Sequence, residues 1–403
     1  MDTKILQITN DVHWIGVLDK DIRTFDIVME TKNGTTYNSY FINADKKAVV
    51  EVVKEQFFPV FEAKLRQICN PEEIAYVFVN HTEPDHSGGL KKLLAIAPNA
   101  TVVASNSAIM NLKEQLNMPF QYITANDGFV TDLGNKKITT ISAPNLHWPD
   151  TVFSYLHEDK VLFSCDAFGA HFCHEAMYDD KVGNYDDAFQ YYFDVILKPF
   201  SKFFLNAIEK ISYLQIDAIC TGHGPLLRSN SMNVVNKTKK LCEDYLGNYA
   251  EKNRILIAFV SAYGYTKTIA EKLKEGIEKV PGIMVDFCDI EKMDSATLGE
   301  KVAKANAYLL GSPTINQNIL PQLYDLFALM TPLRDRGKLA AAFGAYGWSG
   351  DAKQNLITNM GNLKLNCCAE SMFVKFIPSK TEEEAIVKFG EAFAKQFKSK
   401  IYG

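Results

Sequence analysis

The chain has 403 residues, with 43 Lys and Arg against 48 Asp and Glu, a formal net charge of −5. That length exceeds one ordinary hydrophobic core and predicts two domains; the near-even charge, with no basic block, argues against nucleic acid as a partner. The opening Met1-Asp2-Thr3-Lys4 lacks a charged-then-apolar leader pattern and no apolar run approaches the roughly 20 residues that span a bilayer, so the expectation is a cytoplasmic protein with no membrane partner.

In chain order, residues 1 to about 250 alternate short strand-like runs with turns and a few helices. Tyr37 to Asn43 and Ala48 to Val53 flank Ala44-Asp45-Lys46-Lys47 and predict a hairpin. Ile74 to Asn80 is a β-branched and aromatic run that ends on His81, and Ser87-Gly88-Gly89 predicts the opening of a helix through Leu90, Leu93, Leu94 and Ile96. A second hairpin is predicted from Thr151 to Leu156 and Val161 to Ser164, turning at Glu158-Asp159-Lys160 and delivering Asp166. Aromatics between about 184 and 215, such as Tyr191, Tyr192, Phe200 and Phe204, read as helix core or a subunit contact, and no chemistry is assigned to them.

The polar stretch Gly247 to Arg254 predicts a linker and divides the chain into 1–250 and 251–403. Beyond it, Ile255 to Val260, Met284 to Phe287, Ala307 to Leu310 and Leu339 to Phe343 alternate with helical segments, the first from Thr266 to Val280. This grammar predicts an α/β fold with a doubly wound parallel sheet, whose ligand sits at the carboxyl ends of the strands. The eight cysteines contain no C-x-x-C pair, which excludes a rubredoxin-type iron centre or a zinc ribbon in this chain. Cys220 reads as a small buried hydrophobe in an apolar run, and adjacent Cys367 and Cys368 read as structural.

Chemistry-bearing residues collect just past the strands. His81-Thr82-Glu83-Pro84-Asp85-His86 places a glutamate where the hydrolytic pattern H-x-H-x-D-H has an imidazole. A hard, anionic, bridging ligand tilts a paired-metal site from zinc toward iron or manganese, and so from hydrolysis toward redox chemistry. His147 in Asn145-Leu146-His147-Trp148, Asp166 in Ser164-Cys165-Asp166-Ala167 and His223 in Thr221-Gly222-His223-Gly224 extend the set. Taken singly, these read as a backbone-bonded loop histidine, a helix cap and a turn marker. Taken together with the dense first motif, they give three carboxylates and four imidazoles, enough for two divalent ions with one carboxylate shared. Three negative charges offset most of the charge of two ferrous ions, which eases burial. His171 and His174 read as core or surface residues rather than donors to the metal ligands, and His13 and His157 as incidental.

A second constellation follows the first strand of the later half. Ser261-Ala262-Tyr263-Gly264-Tyr265-Thr266-Lys267 brings hydroxyls and backbone N–H groups to a helix start, a setting for a monophosphate, although such loops often only cap a helix. Gly311-Ser312-Pro313-Thr314-Ile315-Asn316 and Ala345-Tyr346-Gly347-Trp348-Ser349-Gly350 follow two further strands. Three loops at successive strand ends form one rim, and Tyr346 and Trp348 can flank a flat ring, which suits FMN. The candidate flavin residues are Ser261, Tyr263, Gly264, Tyr265, Thr266, Ser312, Pro313, Thr314, Asn316, Ala345, Tyr346, Gly347, Trp348 and Gly350. The first turn has no G-x-G-x-x-G, which argues against NAD.

The order HTEPDHSGG, NLHWPDT, SCDAFG and TGHGP resembles the metallo-β-lactamase-like half of the flavodiiron proteins, or A-type flavoproteins, and the later half is similar to a flavodoxin module. The resemblance covers nearly the whole chain. It implies an N-terminal αββα sandwich and a C-terminal flavodoxin-like sheet. It implies one iron on His81, Glu83 and His147, a second on Asp85, His86 and His223, and Asp166 as the bridge, with no catalytic residues beyond these ligands. It further implies reduction of O2 to water and of NO to N2O with FMN as electron relay, a head-to-tail homodimer or dimer of dimers, and an external donor such as a rubredoxin, coenzyme F420 or another reductase. Two departures stand out: Glu51 occupies a position where aspartate is usual, which bears on local packing, and Tyr263 replaces a hydroxyl-bearing Thr in the phosphate loop. The rival readings are a dinuclear zinc hydrolase fused to a flavodoxin and a non-catalytic electron carrier with a structural metal site.

Overall fold

Along the strand Ile74–Val79, Val77 and Val79 pack among helices on one side while Tyr76 and Phe78 face a second sheet on the other. This is the period-two consequence of a pleated backbone. The computed structural model describes residues 4–27, 29–229, 231–248 and 252–402, and the chain separates into two units, Met1–Leu246 and Gly247–Gly403.

The first unit is built on a seven-stranded sheet in the order Leu6–Gln7, Val12–Trp14, Tyr40–Ile42, Lys47–Val50, Ile74–Val79, Thr101–Ala104, Tyr122–Thr124. A five-stranded sheet, Val130–Asp132, Lys137–Ser142, Val152–Leu156, Val161–Cys165 and Ala218–Thr221, packs on it through Val161, Phe163, Ala218 and Cys220. Neighbouring residues of the same strands, Leu162 and Ile219, point outward to the helices Ser201–Ile211 and Ser231–Asn248. The outer face of the larger sheet is covered by Phe58–Ile68, Leu90–Ile96 and Asn106–Leu116. The result is the helix, sheet, sheet, helix sandwich.

Both predicted hairpins are present, with Tyr40–Ile42 antiparallel to Lys47–Val50 and Val152–Leu156 antiparallel to Val161–Cys165. Tyr37 lies outside the first of them, in Thr35–Tyr37, which pairs with Val17–Asp19. Ser87 does not open the Leu90 helix. It closes a separate turn of helix, Pro84–Ser87, because Pro84 pre-sets the dihedral of a first helical residue. The expected linker is helical at its start, since Ser231–Asn248 anchors Val235 and Cys242 on the smaller sheet and runs on through Gly247. Tyr249, Ala250 and Glu251 of that stretch lie outside the described residues.

In the second unit every strand pairing is parallel, in the order Met284–Asp289, Arg254–Phe259, Ala307–Gly311, Leu339–Tyr346. Asn366–Cys367 and Met372–Lys375 pair with the two ends of Leu339–Tyr346. Ile255, Ile257 and Phe259 face the helices Tyr265–Glu278 and Lys380–Tyr402, whereas Leu256 and Ala258 face the opposite layer. Helices on both faces explain why these strands read as unbroken apolar runs. The chain reverses direction across the sheet beside Arg254–Phe259, and the loops after Arg254–Phe259, Ala307–Gly311 and Leu339–Tyr346 meet at one end.

Candidate functional site

Seven polar residues converge in the first unit from four separate stretches of chain. His81 and Glu83 follow Ile74–Val79, Asp85 and His86 sit on the turn Pro84–Ser87, His147 follows Lys137–Ser142, Asp166 follows Val161–Cys165, and His223 follows Ala218–Thr221. Their ligand atoms form two clusters, His81, Glu83, His147 and Asp166 in one and Asp85, His86 and His223 in the other, each with its atoms within 4.8 Å of one another.

In the first cluster, Glu83 Oε2 lies 3.2 Å from His81 Nε2 and 3.0 Å from His147 Nε2. In the second, Asp85 Oδ2 lies 3.0 Å from His223 Nε2 and 3.5 Å from His86 Nε2. Asp166 faces both: Oδ2 stands 3.7 Å from His81 Nε2 and 3.6 Å from His147 Nε2, while Oδ1 stands 3.1 Å from His86 Nε2 and 3.4 Å from His223 Nε2. Despite these short separations, Asp85 Oδ1 and Oδ2, His86 Nε2 and Asp166 Oδ2 are buried and make no hydrogen bond. Atoms that crowd together without pairing point their lone pairs at shared positions between them. That donor set fits a pair of divalent metal ions, since a buried cluster of this charge is otherwise expensive to keep.

The electrostatics agree with that geometry. Burial disfavours charge on the three carboxylates, yet the histidines opposite hold Glu83, Asp85 and Asp166 below the ordinary carboxylate range. Burial likewise opposes a charged His81, but Asp150 and Glu83 outweigh it and lift the imidazole up to about 10. Burial is outweighed at His86 too, where Asp85 and the other anions raise the ring well above its usual value. Glu83 and His147 are the least buried of the seven, with side chains 14% and 22% exposed, so the site meets solvent on their side.

Two neighbours, Tyr192 and Asp150, escaped the sequence reading as members of the site. Tyr192, assigned only to core, donates its hydroxyl to Asp166 Oδ1 at 3.1 Å, and burial followed by the Asp166 charge keeps its proton in place well above the ordinary range. Asp150 lies 3.3 Å from His81 Nδ1 through either oxygen; the motif N-L-H-W-P-D carried it in plain view. His171 takes the core place of the two expected for it: it is buried, joined through Nδ1 to Thr35 Oγ1 at 2.8 Å, and its ring centroid is 5.1 Å from that of His223. His174 is exposed, and its Nδ1 accepts from Ala176 N. Glu51, expected to matter for packing, is 1% exposed and stands 3.5 Å from His86 Nδ1.

In the second unit a cleft is walled by Ser261, Tyr263, Tyr265, Thr266, Pro313, Thr314, Ala345, Tyr346, Gly347 and Trp348 of the anticipated set, together with Ala262, Ile315 and Phe376. Phe376 lies just past Met372–Lys375, so the strand-end rule would have found it had so short a strand been recognised. Gly264, Ser312, Asn316 and Gly350 are not among the walls. Ser312 is turned into the backbone, donating to Pro313 O and accepting from Leu320 N. Gly264 adopts φ +89°, the left-handed region that starts the helix Tyr265–Glu278. The opening N–H groups of that helix have no intrahelical partner, and Thr266 Oγ1 is buried without a hydrogen bond. An orphaned hydroxyl at a helix start, below an apolar slot, fits a phosphate with a flat ring attached.

The chain matches a family model described as ODP family beta lactamase over residues 35–224 and one described as Flavodoxin over residues 257–390. It is similar to the flavo-diiron protein FprA2 of Clostridium acetobutylicum, 35% identical over 399 residues that cover 97% of this chain and 99% of that one. It is also similar to an anaerobic nitric oxide reductase flavorubredoxin of an Enterobacter species, 31% identical over 398 residues that cover 97% of this chain and 81% of that one. Among solved structures, the flavodiiron protein from Giardia intestinalis superposes with a TM-score of 0.65 at 26% identity, covering 99% of this chain and 98% of that one.

Proposed function

The chain belongs to the flavodiiron, or type A flavoprotein, family, and from that premise we propose that it is an oxidoreductase that reduces O2 to water, NO to N2O, or both, at a non-haem diiron site fed by FMN. The observation that carries this reading is the placement of the two Asp166 oxygens, one toward each cluster. His81, Glu83 and His147 would hold one iron, Asp85, His86 and His223 the other, and Asp166 would serve both. When bound, the flavin releases electrons singly and the iron pair delivers them to a small diatomic molecule.

The chain's own residues set the conditions for that chemistry. Asp150 and Thr36 O take the outward nitrogens of His81 and His223, at 3.3 and 2.6 Å, so that both Nε2 atoms face the metal positions. Tyr192 keeps its proton on the hydroxyl and donates to Asp166 Oδ1. Substrate enters beside Glu83 and His147, the members nearest solvent. Ser261, Thr266 and the amides of the helix start would hold the flavin phosphate, with Tyr346 and Trp348 at the ring.

Residues 1–250 form the iron-bearing part and 251–403 the flavin-bearing part, working as a head-to-tail homodimer with an external electron donor. Tyr263 is 82% and Trp348 79% exposed at the rim of the flavin cleft, apolar surface of the kind a second subunit covers. Among the described residues no helix is long and apolar enough to cross a membrane, and we place the protein in the cytoplasm. The deciding experiment measures metal and flavin content after anaerobic iron loading, then turnover with O2 and NO in parallel using candidate donors. Two irons and one FMN per chain with turnover of either gas are expected. Zinc with esterase activity, or slow reoxidation with release of superoxide or peroxide, would overturn the reading.

A further inference from the structure

We propose that Glu51 is a positioning residue for the metal centre: its Oε2 accepts the Nδ1 proton of His86 and so commits His86 Nε2 to the second iron. This rests on the diiron reading above. Glu51 follows the strand Lys47–Val50 with φ +58°, a conformation that residues bearing a Cβ seldom adopt. The turn carries its carboxylate into the interior, where Oε1 accepts from Asn80 N at 2.7 Å, directly before His81. Oε2 is buried, makes no hydrogen bond and lies 3.5 Å from His86 Nδ1, a separation that a small tilt of the ring closes.

The chemistry of the two donors selects the residue type. Asn80 N–H and a protonated His86 Nδ1 both need an acceptor, and a carboxylate offers one oxygen to each. Glutamine has a single acceptor oxygen, so one donor would face its NH2 group. The competing neighbour is Cys165, whose Sγ lies 3.7 Å from the same nitrogen, but a buried thiol is a weak acceptor. His81 and His223 have their own outer partners in Asp150 and Thr36 O. Glu51 therefore gives His86 the support that its two counterparts already have. It also ties the geometry of the second cluster to the backbone that delivers the first.

The test uses full-length protein loaded anaerobically with ferrous iron and titrated against a chelator, with FMN content and Mössbauer spectra recorded on the same samples. Glu51→Gln should weaken one iron by roughly 10–100-fold, leaving the other iron and the FMN in place and making the two iron signals unequal. Glu51→Asp, which keeps both acceptor oxygens on a shorter stem, should fall between wild type and Glu51→Gln, and it carries the test if the glutamine variant fails to fold. Cys165→Ala should match wild type. Wild-type affinity and spectrum in Glu51→Gln, equal loss of both irons in Glu51→Asp, or a selective loss in Cys165→Ala would overturn the assignment. Failure of the wild-type protein itself to bind iron would instead sink the diiron reading.

Discussion

Asp150 holds His81 from behind: its two oxygens each lie 3.3 Å from His81 Nδ1, and Oδ2 also accepts from the amide and hydroxyl of Thr82 at 2.7 Å. One carboxylate thus orients the first ligand and pins the start of the loop that carries Glu83, Asp85 and His86. Asp150→Ala should lower iron affinity by roughly 10–100-fold and destabilise the first unit by about 1–3 kcal/mol through the buried Thr82 N–H left unpaired. Asp150→Asn, which retains one acceptor, should be milder. Chelator competition and thermal unfolding measure the two effects, and an alanine variant with unaltered iron binding would refute the orienting role.

The pH dependence of protein stripped of metal by a chelator has a definite sign. Burial opposes the charged ring of His81, but Asp150 and Glu83 raise it to about 10. Its stabilising contribution is therefore complete below the unfolded histidine value of about 6.5 and fades as pH rises through the folded value. Asp150 acts from the other side: burial is outweighed by His81 and Thr82, its pKa is depressed, and its contribution is present above about 4 and lost on acidification. The thermal midpoint of the stripped protein should be highest between these limits and decline toward alkaline pH. Iron loading should flatten that decline, because bound imidazoles are neutral. A stripped protein equally stable from pH 6.5 to 10 would contradict the assigned charge state.

Gly222 makes room for His86. A Cβ added there would lie 2.6 Å from His86 Cε1 and 3.1 Å from the carbonyl carbon of Cys165, so an imidazole packed on both sides or the backbone must shift. Gly222→Ala is expected to weaken the second iron more than the first, with the flavin unaffected. Iron quantitation after partial chelation checks this, and unchanged stoichiometry would show that the ring can move freely.

The two sites should fail independently. Glu83→Ala removes the carboxylate that faces both His81 and His147 and should lose iron while the protein stays yellow. Gly264→Ala forces a Cβ into φ +89° at the phosphate loop, at a cost of about 1–2 kcal/mol, and should weaken FMN binding while iron content holds. Absorbance spectra and metal analysis on both variants decide it; joint loss of the two cofactors in either variant would count against separate sites.

Much of this was legible in the chain alone because backbone geometry writes itself into local spacing. The apolar runs of Ile74–Val79, Val161–Cys165 and Arg254–Phe259 reported their burial directly, and loops just past them carried His81, Asp166 and Ser261. Glu83 in place of an imidazole announced the class of metal from its donor chemistry. Other features depend on residues far apart in sequence. Tyr192 meets Asp166 across 26 positions, and Glu51 reaches Asn80 across 29. No local pattern encodes which nitrogen of a histidine faces inward or which oxygen of Asp166 serves which cluster. Those choices were decided only when two sheets packed and brought strand ends together, because side-chain orientation in a buried site is set by its three-dimensional neighbours rather than by its neighbours along the chain.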